Sequence, residues 1–123
     1  MKLNFVRLFT GLLALIGFAV GGKGVFIGLS ELSAPPLLDN EYRFFAGIWF
    51  GVGCGLAYCL FNIRRCATLY RGLMVMIFVG GIARAIGAIG YPAVDRQIVV
   101  AIVIELVLPV ILVRLQTSLE DRE

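Results

Sequence analysis

Apolar residues run through this chain in four long blocks, and polar residues fall mainly between them. The blocks cover about residues 4–27, 42–62, 68–89 and 96–115. Each approaches the roughly 20 apolar residues a helix needs to cross a hydrocarbon layer about 30 Å thick, at about 1.5 Å rise per residue. The period-two alternation of lipid-facing β-strands is missing from them. The pattern predicts an all-α fold, an integral membrane four-helix bundle that forms one domain over residues 1–123. A long loop is expected from Leu29 to Glu41, because Pro35-Pro36 cannot continue a helix and Asp39-Asn40-Glu41 is polar. Ile63–Ala67, with Arg64 and Arg65, and Gly90–Asp95, with Pro92, are expected as tight turns, and such short connections make consecutive helices antiparallel neighbours. The first block follows Lys2 and Arg7 as a signal peptide would. FAVGGKG is a poor match to an A-x-A cleavage site, so this block is expected to stay as a helix.

Composition agrees with lipid as the main solvent. The chain is 60% hydrophobic and 15% charged, against about 45–50% and about 25% in soluble proteins, and its mean hydropathy is +0.96. The net charge of +3 does not point to nucleic acid, because the basic residues sit at the ends of apolar blocks and form no patch with interleaved aromatics. Lys2, Arg7, Arg64, Arg65, Arg71, Arg114 and Arg122 fall on one side of the predicted topology. Lys23, Arg43 and Arg96 fall on the other, with Arg84 inside the membrane. The positive-inside bias then places both termini in the cytoplasm, N-in and C-in. The tail SLEDRE is expected to fray.

Several chemistries lose their usual residues. Histidine is absent, which removes the commonest metal and haem ligand and the usual general base. Cys54, Cys59 and Cys66 have no CxxC spacing and read as buried or reduced thiols. Gly21-Gly22-Lys23-Gly24 lacks the spacing of a phosphate-binding loop. Ser30, Ser33 and Ser118 lie outside the predicted bundle, so no nucleophile–base pair assembles. No catalytic residue, metal site or cofactor is expected, and the chain is not read as an enzyme.

Small residues and buried charges remain to be explained. Gly17/Gly21, Gly24/Gly28, and Gly47/Gly51/Gly55 recur every four residues, and Gly80, Gly81, Gly87 and Ala88 flank Arg84. Small residues let helix backbones approach in lipid. Arg43 starts the Gly47 stripe and Arg84 lies within the other, so both arginines are expected to face neighbouring helices in the outward half of the membrane. Glu105 falls near the midplane, where a lone carboxylate must protonate or find a partner. Pro109 removes the helical partner of the Glu105 carbonyl. Arg84 is therefore expected to pair with Glu105 and to reach that carbonyl, with Arg43, Asp39 and Glu41 forming the outer mouth. Among the aromatics, those near helix ends suit the interfacial belt, while Trp49 and Tyr58 are expected to pack.

Three stretches carry a resemblance: NEYRFFAGIWFGVG (Asn40–Gly53), GGIARAIG (Gly80–Gly87) and IELVLP (Ile104–Pro109). Together they resemble a bacterial family of small four-helix inner-membrane proteins catalogued as domain of unknown function 4345. The resemblance implies an inner-membrane bundle with Arg43, Gly47, Arg84 and Glu105 as characteristic positions, and it implies no reaction. The expected function is non-enzymatic support of the envelope or its permeability barrier, including resistance to toxic compounds. Anionic membrane lipid or a partner membrane protein would bind at the Arg/Glu site, and the glycine stripes suit a homo-oligomer. The alternative is a small proton-coupled transporter or channel using Glu105. Small multidrug exporters have a similar length and one intramembrane glutamate, but theirs is on the first helix, whereas Glu105 is on the last and is expected to be neutralised by Arg84.

Overall fold

In lipid no water can satisfy a bare N–H or C=O, so an apolar block closes its hydrogen bonds internally as a helix. A computed structural model describes residues 1–120 and contains four such helices: α1 (Lys2–Ile27), α2 (Pro36–Phe61), α3 (Ala67–Ile89) and α4 (Arg96–Glu120). All four are long and apolar enough to cross a membrane. A 3-10 turn, Ser30–Leu32, lies between α1 and α2. Arg122, and residues 121–123 of the tail expected to fray, lie outside the described residues.

The beginning of α2 differs from expectation. The helix starts at Pro36, not at Tyr42, so Asp39 and Glu41 are helical residues and not part of a loop. Proline has no N–H to lose at the first helical position, and its fixed φ suits the helix. Pro35 precedes it at φ −55°, ψ 145°. Its carbonyl accepts the first turn's bond from Asp39 N at 3.0 Å. The double proline therefore opens α2.

The chain forms two compact units, Arg7–Asn62 and Met1–Val6 with the chain from Ile63 onward. In the first, α1 meets α2 through glycine. A Cβ at Gly17 would lie 2.9 Å from Gly53 Cα, and one at Gly21 would lie 2.5 Å from Phe50 N. Gly24 faces Ala46 and Tyr42, and Gly11 faces Leu60. Phe18 and Phe50 meet edge to face, with ring centroids 5.3 Å apart. Of the four glycines expected to pack on α1, Gly17, Gly21 and Gly24 do so, while Gly28 lies just past the end of the helix, against Asp39 and Arg43. On α2 the expected stripe drifts. Successive steps of four residues rotate by about 40° at about 100° per residue, so Gly47 and Gly51 leave the contact face. Ala46, Phe50 and Gly53 hold it. A Cβ at Gly51 would meet nothing within 4 Å, and one at Gly47 would only touch Val25 at 4.0 Å.

In the second unit the buried positions of α3 are Tyr70, Leu73, Met74, Ile77 and Gly81. Those of α4 are Glu105, Pro109, Leu112, Gln116 and Leu119. Both sets step by three and four residues, the spacing of a helix face. Glu105 and Gln116 thus occupy core positions, and α3 and α4 are in direct contact. Less than a third of the most apolar stretch of each helix is buried. Phe26, Phe44, Phe61, Ile86 and Ile89 project outwards, as lipid-facing residues do. Tyr58 is exposed rather than packed, and Tyr70 is wholly buried although it lies near a helix end. Cys59 is buried, whereas Cys54 is exposed; neither they nor Cys66 form a disulfide among the described residues.

Candidate functional site

Two arginine centres occupy the two units. The first closes the end of α1. The last carbonyls of a helix lack intrahelical donors, and Arg43 supplies them from α2. Its Nη1 donates to Val25 O at 2.6 Å and to Phe26 O at 3.2 Å, and its Nη2 donates to Ile27 O at 3.1 Å. Its Nε donates to Asp39 Oδ2 at 2.7 Å. The other carboxylate oxygen of Asp39 accepts from Leu29 N at 2.6 Å. Gly28 makes this fit. It sits at φ 62°, a left-handed conformation that terminates helices and favours glycine, and a side chain there would run into Asp39 and Arg43. The guanidinium also lies at the negative end of the α1 dipole. Arg43 and Asp39 form a closed cap. Glu41, expected beside them at a mouth, is exposed and has no ion pair or hydrogen bond among the described residues.

The second centre lies between α3 and α4. Arg84 Nε donates to Glu105 Oε2 at 3.0 Å, and Nη2 donates to Oε1 at 3.2 Å. Both carboxylate oxygens are engaged in a two-point bridge, the stronger and more directional form of ion pair. The side chains are unequal in burial, 43% exposed for Arg84 and 12% for Glu105. Gly81, one turn before Arg84, lets α4 come close: a Cβ there would lie 2.9 Å from Glu105 Cβ. Gly80 has open space beside it, so only one of the paired glycines packs. Arg84 binds the carboxylate and not the Glu105 carbonyl, contrary to expectation. Its Nη1 keeps both protons without a partner among the described residues. Pro109 is buried one turn further along α4.

A polar cluster not anticipated as a site lies nearer the start of α3 and the end of α4. Arg71 Nε donates to Gln116 Oε1 at 3.3 Å, and Nη2 donates to Thr117 Oγ1 at 3.2 Å. Lys2 Nζ donates to Ser118 Oγ at 3.5 Å. Gln116 is wholly buried, and its Nε2 has no hydrogen-bond partner among the described residues. One sequence signal was available: Gln116 falls eleven residues after Glu105, which returns a helix to the same face. No group of three or more His, Cys, Asp or Glu among the described residues could hold a metal ion.

Comparison with curated proteins gave no match, and comparison with solved structures gave none. One family profile, described as a domain of unknown function, matches residues 5–116. That span holds α2 and α3 whole, most of α1 and α4, the Arg43 cap, the Arg84–Glu105 bridge and Gln116, and on this evidence the chain belongs to the DUF4345 family.

Proposed function

We propose that this chain is a non-enzymatic protein of the bacterial inner membrane that supports the envelope permeability barrier by binding anionic lipid or a partner membrane protein. In this reading the helices are antiparallel neighbours and both termini face the cytoplasm. The positive-inside bias supports that orientation. Contacts that run from Gly11–Leu60 to Gly28–Asp39 support the antiparallel arrangement of α1 and α2. Open faces at Gly51, Gly72 and Gly80 leave room for a second copy or a partner helix.

The observation that carries the reading is the Arg84–Glu105 bridge. A proton-coupled carrier needs a carboxylate that alternates between protonated and free, and here both oxygens are already held by a cation. The bridge acts instead as a fixed clamp whose remaining Nη1 protons can meet an anionic group. The test is dye and drug accumulation in a strain lacking the protein, rescued by wild type or Glu105→Gln at matched levels, with and without a proton uncoupler. Wild type is expected to restore the barrier even with the uncoupler. If the uncoupler abolishes the rescue, and Glu105→Gln fails to rescue at all, the protein is a proton-driven exporter and the proposal is wrong.

A further inference from the structure

The outward apolar surface does not stop where α1 ends. Phe26 in the last turn of α1 is 82% exposed, and Leu32 and Leu37 in and after the connection are 74% and 75% exposed. Leu38, Pro35 and Pro36 are exposed as well. Leu37 and Leu38 lie seven residues, two turns, before the exposed Phe44 and Phe45, and so share their faces of α2. The apolar surface of the helix thus runs without a break into the connection. From Gly28 to Leu38 the one ionisable side chain is Glu31. The next, Asp39, is paired with Arg43.

The polar groups of the connection are spent inside it. Irregular backbone enters a layer poor in water only where its N–H and C=O groups are met from within. The N–H groups of Gly28, Leu32 and Ser33 donate to the carbonyls of Gly24, Leu29 and Ser30. Leu29 N–H donates to Asp39, and Pro35 and Pro36 have no N–H. The carbonyls of Val25, Phe26 and Ile27 accept from Arg43, and Ser30 Oγ also donates to Ile27 O at 2.9 Å. An aqueous loop shows its backbone to water and hides its leucines. This connection does the reverse.

Helix length sets the depth. α1 and α2 have 26 residues each, about 39 Å at about 1.5 Å per residue. The hydrocarbon is about 30 Å thick, and the bilayer with its headgroups about 40–45 Å. Helices of this length end within the headgroup layer and do not clear it. We propose that the α1–α2 connection docks on the lipid itself, with Phe26, Leu32, Leu37 and Leu38 entering the acyl region just below the headgroups. The Arg43–Asp39 cap holds the connection at that depth, and Glu31 stays among the headgroups. In the orientation proposed above this is the outward leaflet. The contact is apolar and its one free charge is acidic, so it needs no anionic lipid. It goes beyond the Arg84–Glu105 clamp and holds whatever that clamp binds.

The test uses the full chain in phosphatidylcholine vesicles. Trp49 is the single tryptophan, so Trp49→Phe gives a silent background for Leu32→Trp or Leu37→Trp, with Phe44→Trp as the lipid-facing reference. Phosphatidylcholine brominated near the ester should quench Leu32→Trp and Leu37→Trp at least as strongly as Phe44→Trp, and aqueous iodide should quench them several-fold less than free tryptophan. Quenching by iodide and not by brominated lipid puts the connection in water and overturns the proposal. Protection from both quenchers overturns it too, because a second copy then covers the leucines. Lipid quenching that appears only after phosphatidylglycerol is added replaces the apolar dock with a charged one, and sinks the proposal while leaving the proposed function standing. The native chain provides a check that needs no substitution. Phosphatidylcholine carrying a diazirine near its ester should label residues 29–38, read by mass spectrometry. Label on residues 42–50 with none on 29–38 overturns the dock, whether or not the tryptophan variants fold.

Discussion

Between α1 and α2 the backbones themselves come together, at Gly17–Gly53 and Gly21–Phe50, and Arg43 closes the end of the pair on the carbonyls of Val25, Phe26 and Ile27. Between α3 and α4 glycine packs at Gly81, a salt bridge holds the helices at Arg84 and Glu105, and the seam below it opens into a cleft. Each pair has an arginine beside small residues. Arg43 spends its donors on backbone and on Asp39, within its own unit, and is a structural cap. Among the described residues Arg84 leaves Nη1 unused, and Arg114 has no hydrogen-bond or ion-pair partner. The same residue type next to the same kind of glycine pattern thus carries different work. What separates the two cases is how many N–H groups the surrounding fold consumes.

The largest effect should come from the backbone contact. Overpacking usually costs about 1–3 kcal/mol, and less when a side chain can move aside. At Gly21 the neighbours are Phe50 N, Phe50 Cα and the Ala46 carbonyl, which cannot move without shifting a helix. Gly21→Leu should therefore cost about 3 kcal/mol or more, read as loss of the thermal transition in mild detergent. Gly81→Ala meets Glu105 Cβ at 2.9 Å, the flexible end of Leu106 at 3.0 Å and one backbone atom, Glu105 C, only at 3.2 Å, and should cost less, about 1–2 kcal/mol. A reversed order would mean that the α3–α4 seam is the rigid one.

Next is the bridge. Removing one partner of a fully buried pair costs about 3–5 kcal/mol. Arg84 is 43% exposed, so solvent or headgroups can relieve part of the loss and about 1–3 kcal/mol is the better expectation. The effect should be asymmetric. Arg84→Met strands a carboxylate that is only 12% exposed, whereas Glu105→Ala frees an arginine that can extend towards the interface. A double-mutant cycle should return a coupling energy near 1 kcal/mol or more. Additive losses would remove the bridge as the element joining α3 to α4.

The Arg43 cap should respond to geometry as well as charge. Lysine keeps the charge at this position but has one nitrogen where the guanidinium has three. Arg43→Lys cannot serve Asp39 and three carbonyls together and should cost about 1–2 kcal/mol, with proteolysis between Gly28 and Pro35 accelerated. Unchanged cleavage would show that Gly28 and Asp39 hold the α1–α2 connection by themselves.

Much of this was legible in the sequence, and the missing parts share a cause. Apolar block length marked four helices, and only charge placement was needed to expect Arg84 beside Glu105. The start of α2 was misplaced because Pro35-Pro36 breaks a helix from the inside and yet opens one at its first position; the two outcomes differ by one residue of register. The glycine stripe of α2 was misread because steps of four drift around the helix, whereas 46, 50 and 53 alternate four and three. Arg43 was expected at a ligand mouth because the pattern of α2 does not reveal that the last carbonyls of α1 lie beside it. Arg71 served only as a topological charge, and its partners Gln116 and Thr117 are 45 and 46 residues away.

The smallest expected effect tests the face assignment most sharply. Gly51 and Gly53 are two residues apart on α2, and about 200° of rotation separates them. A Cβ at Gly53 would lie 3.1 Å from Ala14 O and from Phe18 N, while one at Gly51 would meet nothing within 4 Å. Alanine is favoured over glycine within a helix by up to about 1 kcal/mol. Gly51→Ala should therefore be neutral or slightly stabilising, within about 0.5 kcal/mol, and Gly53→Ala should destabilise. Thermal unfolding of both variants, with molecular mass measured in the same detergent, reads the difference. If Gly51→Ala destabilises as much as Gly53→Ala and the mass falls with it, the open face of α2 is covered by a second copy, and its glycine stripe serves contacts between chains.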